Sequence, residues 1–226
     1  MVGVRQFTGG MLIHLSRLML NLRNKQALAE LNNIYELHRT IMSAFPDNSK
    51  GGPGRVLFRI EDGTESFGKA VLIQSQHKPD WNYLRVADDY LVREPESKEF
   101  NPKISIGVQY RFRLLANPTV KKDGKRLGIF DEEEQVKWIT RKSESNGFTL
   151  LNVMNYQKEG VKGFKPGQQN GIVLHSVLFE GALRVDDVEK FLRCLEGGIG
   201  SGKGFGFGLI SLARGSSDGQ GLPGTP

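Results

Sequence analysis

Two side chains that could carry out proton transfer, Tyr35 and His38, stand three positions apart. Just before them, Asn33 is followed three residues later by Glu36, which is typical of a helix N-terminus with a capping box. A helix that begins there places both rings near its first turn, on neighbouring positions of one face. The N–H groups of that turn attract phosphate, and imidazole exchanges protons near neutral pH. The pair could therefore cleave a phosphodiester by acid–base chemistry alone.

His38 also has a structural interpretation. Ile34 and Ile41 flank it at helical spacing, so His38 falls on the apolar stripe, where a boundary histidine is common. The residues alone leave the catalytic and the structural interpretations about even. The other histidines are scattered without metal-ligand spacing, and the carboxylates form no two-metal cluster. We therefore expect no metal and no cofactor.

A run of alternating glycines near the C-terminus is a candidate contact for a polyanion, because bare backbone can approach a phosphate closely. Its members are Gly198, Gly200, Gly202, Gly204, Gly206 and Gly208, with Lys203 as the only charge among them. Residues 197–203 match the start of a phosphate-binding loop, but the Ser or Thr that would hold magnesium is missing. A helix pattern also leads in and a strand leads out, the reverse of that loop. The alternative is a flexible approach to the last strand.

Charge and composition narrow the class of protein. The 226 residues carry a net charge of +6, which favours an acidic partner such as nucleic acid. The single cysteine, Cys194, excludes an internal disulfide framework and suits a reducing cytoplasm. No apolar run is long enough to span a bilayer. We expect a cytoplasmic protein with no membrane partner.

The cations of the second half form three groups that, with Lys203, could make one positive track for RNA. The groups are a strand pair, a loop and a helix pair: Arg111 and Arg113; Lys121, Lys122, Lys125 and Arg126; Arg141 and Lys142. Each group alone is most often a solvated surface. Few aromatic residues interleave with them, which favours a duplex or hairpin over stacked single-stranded bases.

Hydrophobic periodicity predicts the secondary structure that carries these residues. The main predicted elements of the first half are a strand at 12–22, a helix over 27–45, strands at 56–61 and 70–76, and a short helix near 79–81. In the second half they are strands at 110–116, 148–154, 176–183 and 207–213, with helices from 131 and over 186–195. This order, strand–helix–strand–strand–helix–strand twice, predicts an α+β protein of two tandem ferredoxin-like (RRM-like) domains. We expect the domains at 11–96 and 104–214, a short linker between them, and a disordered tail at 215–226.

Segments spread along the whole chain resemble the CasE family, the CRISPR repeat-processing endoribonucleases of type I-E systems. They occur in the family's order: LSRL at 15–18, YELHRT at 35–40, RFRLLANP at 111–118, Trp138 with Arg141 and Lys142, LFEG at 178–181, and GLISL at 208–212. The resemblance implies two ferredoxin-like domains and metal-independent cleavage of CRISPR precursor RNA at the base of the repeat hairpin. There the 2′-hydroxyl attacks the adjacent phosphate, leaving a cyclic or terminal phosphate and a 5′-hydroxyl.

By position, the resemblance implies that His38 transfers a proton at the attacking or leaving oxygen and that Tyr35 supports it. The basic groups would bind the hairpin, and the glycine run would lie against the RNA near His38. The protein would remain on mature crRNA within a multi-subunit surveillance complex. Two positions depart from the family: Ser43 stands where some relatives carry lysine, and Leu115 replaces an arginine. The rival hypotheses are a non-catalytic RNA-hairpin-binding subunit and a magnesium-dependent nucleotide phosphatase.

Overall fold

The computed structural model describes residues 11–47, 51–63, 68–85, 89–164 and 171–214; the predicted disordered tail lies outside them. The elements of the first half are β1 (Ile13–Asn21), α1 (Lys25–Asn32), α2 (Ile34–Met42), β2 (Val56–Asp62), β3 (Gly68–Ser75), α3 (Asn82–Arg85) and β4 (Glu96–Phe100). Their strands form an antiparallel sheet in the order β2-β3-β1-β4. This is a ferredoxin-like unit, as the sequence predicts.

The predicted end of the first domain at residue 96 is wrong, because β4 (Glu96–Phe100) is the fourth strand of the first sheet. The sequence placed most of these residues in the linker. All of them are exposed, and the strand lies at the sheet edge. Without a buried face, the strand has no apolar alternation from which it could be predicted.

The predicted single helix over 27–45 is divided into two at Asn33. The N–H of Asn33 donates to the carbonyl oxygens of Ala29 and Glu30 at 3.0 and 3.1 Å and ends α1. The backbone of Asn33 is non-helical, with φ −133° and ψ 86°. As a result α2 begins afresh at Ile34, and its first turn carries Tyr35.

The second half repeats the order with an added hairpin. Its elements are β5 (Gln109–Ala116), β6 (Thr119–Lys122), β7 (Lys125–Gly128), α4 (Glu132–Ser145), β8 (Phe148–Gly163), β9 (Ile172–Val185), α5 (Val188–Gly197), a 3-10 turn (Lys203–Phe205) and β10 (Ile210–Arg214). The second sheet has the order β10-β5-β9-β8. Both β8 and β9 extend beyond the predicted strands. Residues 155–163 of β8 were missed because they are mostly exposed and show little apolar alternation, whereas the added start of β9 at 172–174 is a short apolar run without alternation.

Each sheet packs against its own helices, and a separate hydrophobic core lies between them. Leu18, Leu37 and Phe58 lie in the first core. The second core contains Phe112 of β5 and Trp138 of α4. Alternate residues of each strand therefore point away from the helices, and side chains on the outer face of the first sheet contact the second domain. Within the described residues, no helix is long and apolar enough to cross a membrane.

A buried arginine joins the two domains across those outer faces. Arg59 of β2 is only 3% exposed. Its Nε and Nη2 donate to Glu61 Oε1 at 2.9 and 2.6 Å. Nη1 donates to the carbonyl oxygens of Arg113 and Leu209 at 3.2 and 3.1 Å, and Nη2 also donates to Ser211 Oγ at 2.8 Å. All five donors of the guanidinium are thus used, three of them on the second domain.

Candidate active site

His38 lies on α2 with one face of its ring against Phe58 of β2. The ring centroids are 6.0 Å apart and the planes differ by 16°. Within the described residues, Nδ1 is buried and has no hydrogen-bond partner. Burial lowers the pKa of His38 from its ordinary 6.5. The imidazole is therefore mostly neutral at pH 7 and holds a polar atom that the protein itself leaves unused.

The Nε2 edge of the imidazole meets the glycine loop, residues 198–208. A Cβ placed on Gly204 would lie 3.5 Å from Nε2 of His38 and 3.8 Å from Cε1. The loop comes from the second domain, whereas His38 belongs to the first. The candidate site is therefore assembled at the domain boundary, and the backbone at Gly204 leaves no side chain over Nε2.

Most glycines of this loop are required by its own conformation. Gly198, Gly200, Gly202, Gly206 and Gly208 all have positive φ, between 72° and 91°, which favours glycine. The loop is also tied down: the N–H of Ile199 donates to Gly208 O at 3.0 Å, and that of Gly208 to Leu115 O at 2.8 Å. Contact with a polyanion remains a prediction for the run, but its shape has a local structural cause.

The long β8 strand reaches from the second domain to the start of α2. The side chain of Asn33 bonds the backbone of Phe164, just beyond β8, through both its oxygen and its nitrogen. Val161 packs on the first core, and Gly163 lies under the ring of Phe205. Tyr35, half-buried, follows two residues after Asn33. The end of β8 and the glycine loop thus flank α2, the helix that carries both candidate catalytic residues.

The predicted capping box is wrong, because its side-chain hydrogen bonds do not form, although α2 begins at the expected residue. The side chain of Asn33 makes no cap hydrogen bond because it is committed to Phe164. The backbone N–H of Asn33 already donates to two carbonyl oxygens of α1, so it is not available to donate to the Glu36 side chain. Glu36 instead pairs with Arg39 at 2.9 Å. Ser43, the position that departs from the family, donates to Arg39 O.

The expected single positive track is divided by the second sheet. Tyr110 and Phe112 point into the core, so Arg111 and Arg113 lie on the opposite face from α4, which carries Arg141 and Lys142. The strand pair and the helix pair therefore lie on different faces of the domain.

Arg113 has a structural role at the domain interface. It pairs with Glu180 at 2.5 Å and with Glu61 at 3.5 Å. Partial burial lowers the pKa of Arg113, but the two carboxylates outweigh this and raise it. Its guanidinium is thus committed to holding β2 against the second sheet.

Two other cations act electrostatically on Lys203. Burial first, and then the charges of Arg55 and Lys142, lower the pKa of Lys203. Like charges brought together in this way favour a bound anion. The sequence reasoning missed Arg55, because it stands alone before β2 and nothing local marks it.

The loop at 121–126 is a hairpin, which we name the basic hairpin. All four of its cations are exposed. Lys121 lies directly opposite Arg126, and Lys122 opposite Lys125. Like charges at opposite positions of two paired strands destabilise the pair. An acidic partner would remove this repulsion.

Among the described residues, no group of three or more His, Cys, Asp or Glu side chains is placed to hold a metal ion.

A model of the family described as CRISPR associated protein matches residues 13–214. The chain belongs to this family.

Two curated relatives agree with that assignment. "CRISPR-associated endoribonuclease Cse3" of Thermus thermophilus is 35% identical over 211 residues, covering 88% of this chain and 99% of that protein. "CRISPR system Cascade subunit CasE" of Escherichia coli is 29% identical over 200 residues, covering 83% and 95%. The CasE resemblance seen in the sequence is therefore confirmed.

A solved structure of a family member has the same fold. The structure of the endoribonuclease Cse3 bound to a 19-nucleotide RNA matches with a TM-score of 0.81 at 34% identity. The match covers 90% of this chain and all of that chain. The predicted α+β class with two ferredoxin-like domains is confirmed.

Proposed function

We propose that this protein is an endoribonuclease that binds the hairpin of CRISPR precursor RNA and cleaves within the repeat. The observation that carries the proposal is the placement of His38, whose Nε2 edge meets side-chain-free backbone at the boundary of the two domains. The 35% identity to the Thermus endoribonuclease Cse3 supports the same activity. The protein then remains on mature crRNA as a subunit of a surveillance complex. The name of the Escherichia coli relative, a Cascade subunit, supports membership of a complex.

The reaction requires only proton transfers from the protein's own side chains. The 2′-oxygen attacks the adjacent phosphorus and loses its proton, the bond from phosphorus to the 5′-oxygen breaks, and that oxygen gains a proton. The products are a 2′,3′-cyclic phosphate and a 5′-hydroxyl. His38 serves one of these two transfers, without a metal. Neutral imidazole suits the removal of the 2′-proton, and a phosphate bound beside it raises its pKa and so suits the donation of a proton.

Tyr35 is proposed to orient the nucleophile or the phosphate beside His38. It lies in the first turn of α2, where N–H groups and the helix dipole favour an anion. A hydroxyl at that position can donate a hydrogen bond to a phosphate oxygen without being ionised.

RNA binding is assigned to two groups of cations and to Arg111. The opposed like charges of the basic hairpin lose their repulsion when a phosphate backbone lies between them. Lys142 and Lys203, with Arg55, form the second group, and Arg141 lies on the same helix as Lys142. Arg111 extends the surface on the other face of the sheet. Arg113 remains with its two carboxylates.

Incubation with repeat RNA in EDTA tests the activity. Wild-type protein should cut the RNA, and His38→Ala should bind it with similar affinity but cut at least about a hundredfold more slowly. His77→Ala, which changes an exposed histidine of the same domain, is the matched control and should cut normally. Wild-type protein that binds the RNA without cutting it would instead favour the non-catalytic binding subunit.

A further inference from the structure

Phe130, between the basic hairpin and α4, holds an aromatic ring out in solvent. The side chain is 66% exposed, the largest exposed fraction among the large hydrophobic residues that the structure describes. Its ring centroid lies 4.5 Å from that of His175 on β9, with the planes tilted by 42°. A Cβ placed on Gly128 would lie 3.3 Å from the Phe130 ring. The ring thus rests on Gly128 and His175 and presents its outer side to solvent.

A set of amide side chains fixes the backbone beneath this ring. Gln135, which is fully buried, donates to the carbonyl oxygens of Ile129 and Phe130 at 3.1 and 3.3 Å. Gln157 of β8 donates to the same Phe130 oxygen at 3.0 Å. Asn155 donates to Gln135 Oε1 at 2.9 Å and holds that amide in place. An exposed aromatic side chain on so constrained a backbone loses little further freedom when it binds a ligand.

His175 completes the aromatic surface as a neutral ring. Burial lowers the pKa of His175 from its ordinary 6.5, so the imidazole is mostly uncharged at pH 7. Gln135 Nε2 lies 3.3 Å from Nε2 of His175 and restrains the ring. Phe130 and His175 therefore form a fixed pair of uncharged rings, the type of surface on which nucleobases stack.

The charges around the pair favour a base over a phosphate. On one side stand the four cations of the basic hairpin, in the strands just before Phe130. On the other side, α4 begins with Asp131 and three glutamates. Asp131 accepts from the N–H of Glu134, and Glu134 pairs with Lys137. An RNA backbone held on the hairpin side can send a base onto the rings while its phosphates stay away from these carboxylates.

We propose that Phe130 and His175 stack an unpaired base of the repeat RNA where it leaves the duplex bound by the basic hairpin. The base must be unpaired, because bases within a duplex already stack on their neighbours. This inference rests on the proposed binding of an RNA hairpin and adds to it a site for single-stranded sequence. The few aromatic residues among the basic groups favour a duplex or hairpin over stacked single-stranded bases, and Phe130 departs from that expectation.

Fluorescence of repeat RNA carrying 2-aminopurine at one unpaired position at a time tests the proposal. The protein carries His38→Ala so that the RNA remains intact. One labelled position should be quenched on binding, and the quench should disappear with Phe130→Leu and persist with Phe130→Trp. Phe130→Ala should raise the Kd for repeat RNA about 5- to 150-fold, the range for losing one stacked base.

Salt dependence separates stacking from charge. The slope of log Kd against log salt should be unchanged in Phe130→Ala, because no phosphate contact is lost. A double replacement of Lys122 and Lys125 by alanine should reduce that slope by about 1.4 to 1.8. Ile106→Ala, which truncates another exposed apolar side chain (55% exposed), is the control for nonspecific effects and should leave both quantities unchanged.

An unchanged Kd for Phe130→Ala with no position-specific quench would overturn the inference. If the Phe130→Ala protein shows the same unchanged Kd but fails to join the other subunits of the complex, the stacking inference is also overturned. Phe130 is then assigned to a protein contact. If wild-type protein neither binds nor cuts repeat RNA, the proposed function fails as a whole. If it cuts normally while Phe130 has no effect on binding, the stacking site alone is wrong.

Discussion

The side-chain amide of Asn33 forms two hydrogen bonds with the backbone of Phe164: its nitrogen donates to the carbonyl oxygen at 3.1 Å, and its oxygen accepts from the N–H at 2.8 Å. The two residues are 131 positions apart. The bonds connect the start of α2, which carries Tyr35 and His38, to the end of β8 in the other domain. The position of the candidate catalytic helix therefore depends on a strand of the second domain.

The Asn33 contact predicts a defect in cleavage without a defect in folding. Asn33→Asp keeps an acceptor for the Phe164 N–H but cannot donate to its carbonyl oxygen. Aspartate is also a favourable residue before a helix, so the stability of α2 should be maintained. We expect the single-turnover cleavage rate to fall about fivefold, as for the loss of one hydrogen bond of about 1 kcal/mol. The melting temperature should stay within about 2 °C of wild type.

Asn32→Asp is the matched control for this experiment. The amide of Asn32 donates only to Leu28 O on the exposed side of α1, so the cleavage rate should remain at the wild-type value. Equal rates for wild type and Asn33→Asp would show that the link to Phe164 does not position the catalytic helix.

Two neighbouring glycines should respond differently to alanine. Gly204 has no positive φ, and its new Cβ would make ordinary contact with the His38 ring at 3.5 Å. Gly204→Ala should fold with little loss of stability yet cleave RNA more slowly, because a methyl group then covers Nε2. Gly206 has φ +85° and a Cβ position 3.2 Å from Phe58. Gly206→Ala should lower the free energy of unfolding by about 1–2 kcal/mol.

Thermal melts and single-turnover rates on both variants check this pair of predictions. A Gly204→Ala protein that cleaves at the wild-type rate would mean that the RNA phosphate does not approach Nε2 of His38 from the side of the loop.

The partly buried imidazole of His38 predicts a pH dependence of stability. Burial lowers the pKa of His38 in the folded protein below 6.5. Between the folded and unfolded pKa values, the unfolded chain binds more protons, so the free energy of unfolding falls as the pH falls. The stabilisation is fully present above about pH 6.5 and is lost as the pH falls through the folded pKa. Urea unfolding at about pH 7.5 and about pH 5.5 should therefore show a smaller decrease for His38→Gln than for wild type.

His175 has its pKa lowered in the same direction, so part of the decrease should remain in His38→Gln. NMR titration of the His38 ring in the free protein should give a midpoint below 6.5. A midpoint above the ordinary value would contradict the desolvation of this ring. Addition of cleaved RNA should move the midpoint upward, because a neighbouring phosphate favours the imidazolium form.

We predict that Arg59 stabilises the contact between the two domains through the N–H donors of its guanidinium group. Arg59→Lys keeps the charge but offers three donors in place of five and cannot reproduce the planar geometry. We expect the free energy of unfolding to fall by about 2–4 kcal/mol, because buried acceptors on both domains lose their partners. Arg184→Lys, in an ion pair with Asp186 that is 46% exposed on the arginine side, should change stability by less than about 0.5 kcal/mol. Similar urea midpoints for the two variants would exclude Arg59 as the main link.

Much of the fold and part of the site were predictable from short-range pattern. The apolar stripe of α2 and the alternation of β5 depend on residues only a few positions apart, and both elements lie where the sequence predicts them. The exposed edge strand β4 was missed because it has no buried face. Tyr35 and His38 lie on the same helix, so their proximity to each other could be predicted from their spacing alone.

The residue types that are available for chemistry follow from the sequence alone: a tyrosine and histidine on one helix, an excess of cations, and a glycine run with one lysine. Their partners are assigned by the tertiary structure. It committed Arg113 to two carboxylates, Asn33 to Phe164, and Gly204 to the edge of His38. Helical and strand periods arise from neighbours within a few positions, whereas these contacts join residues far apart in the chain and form only when the two domains pack together.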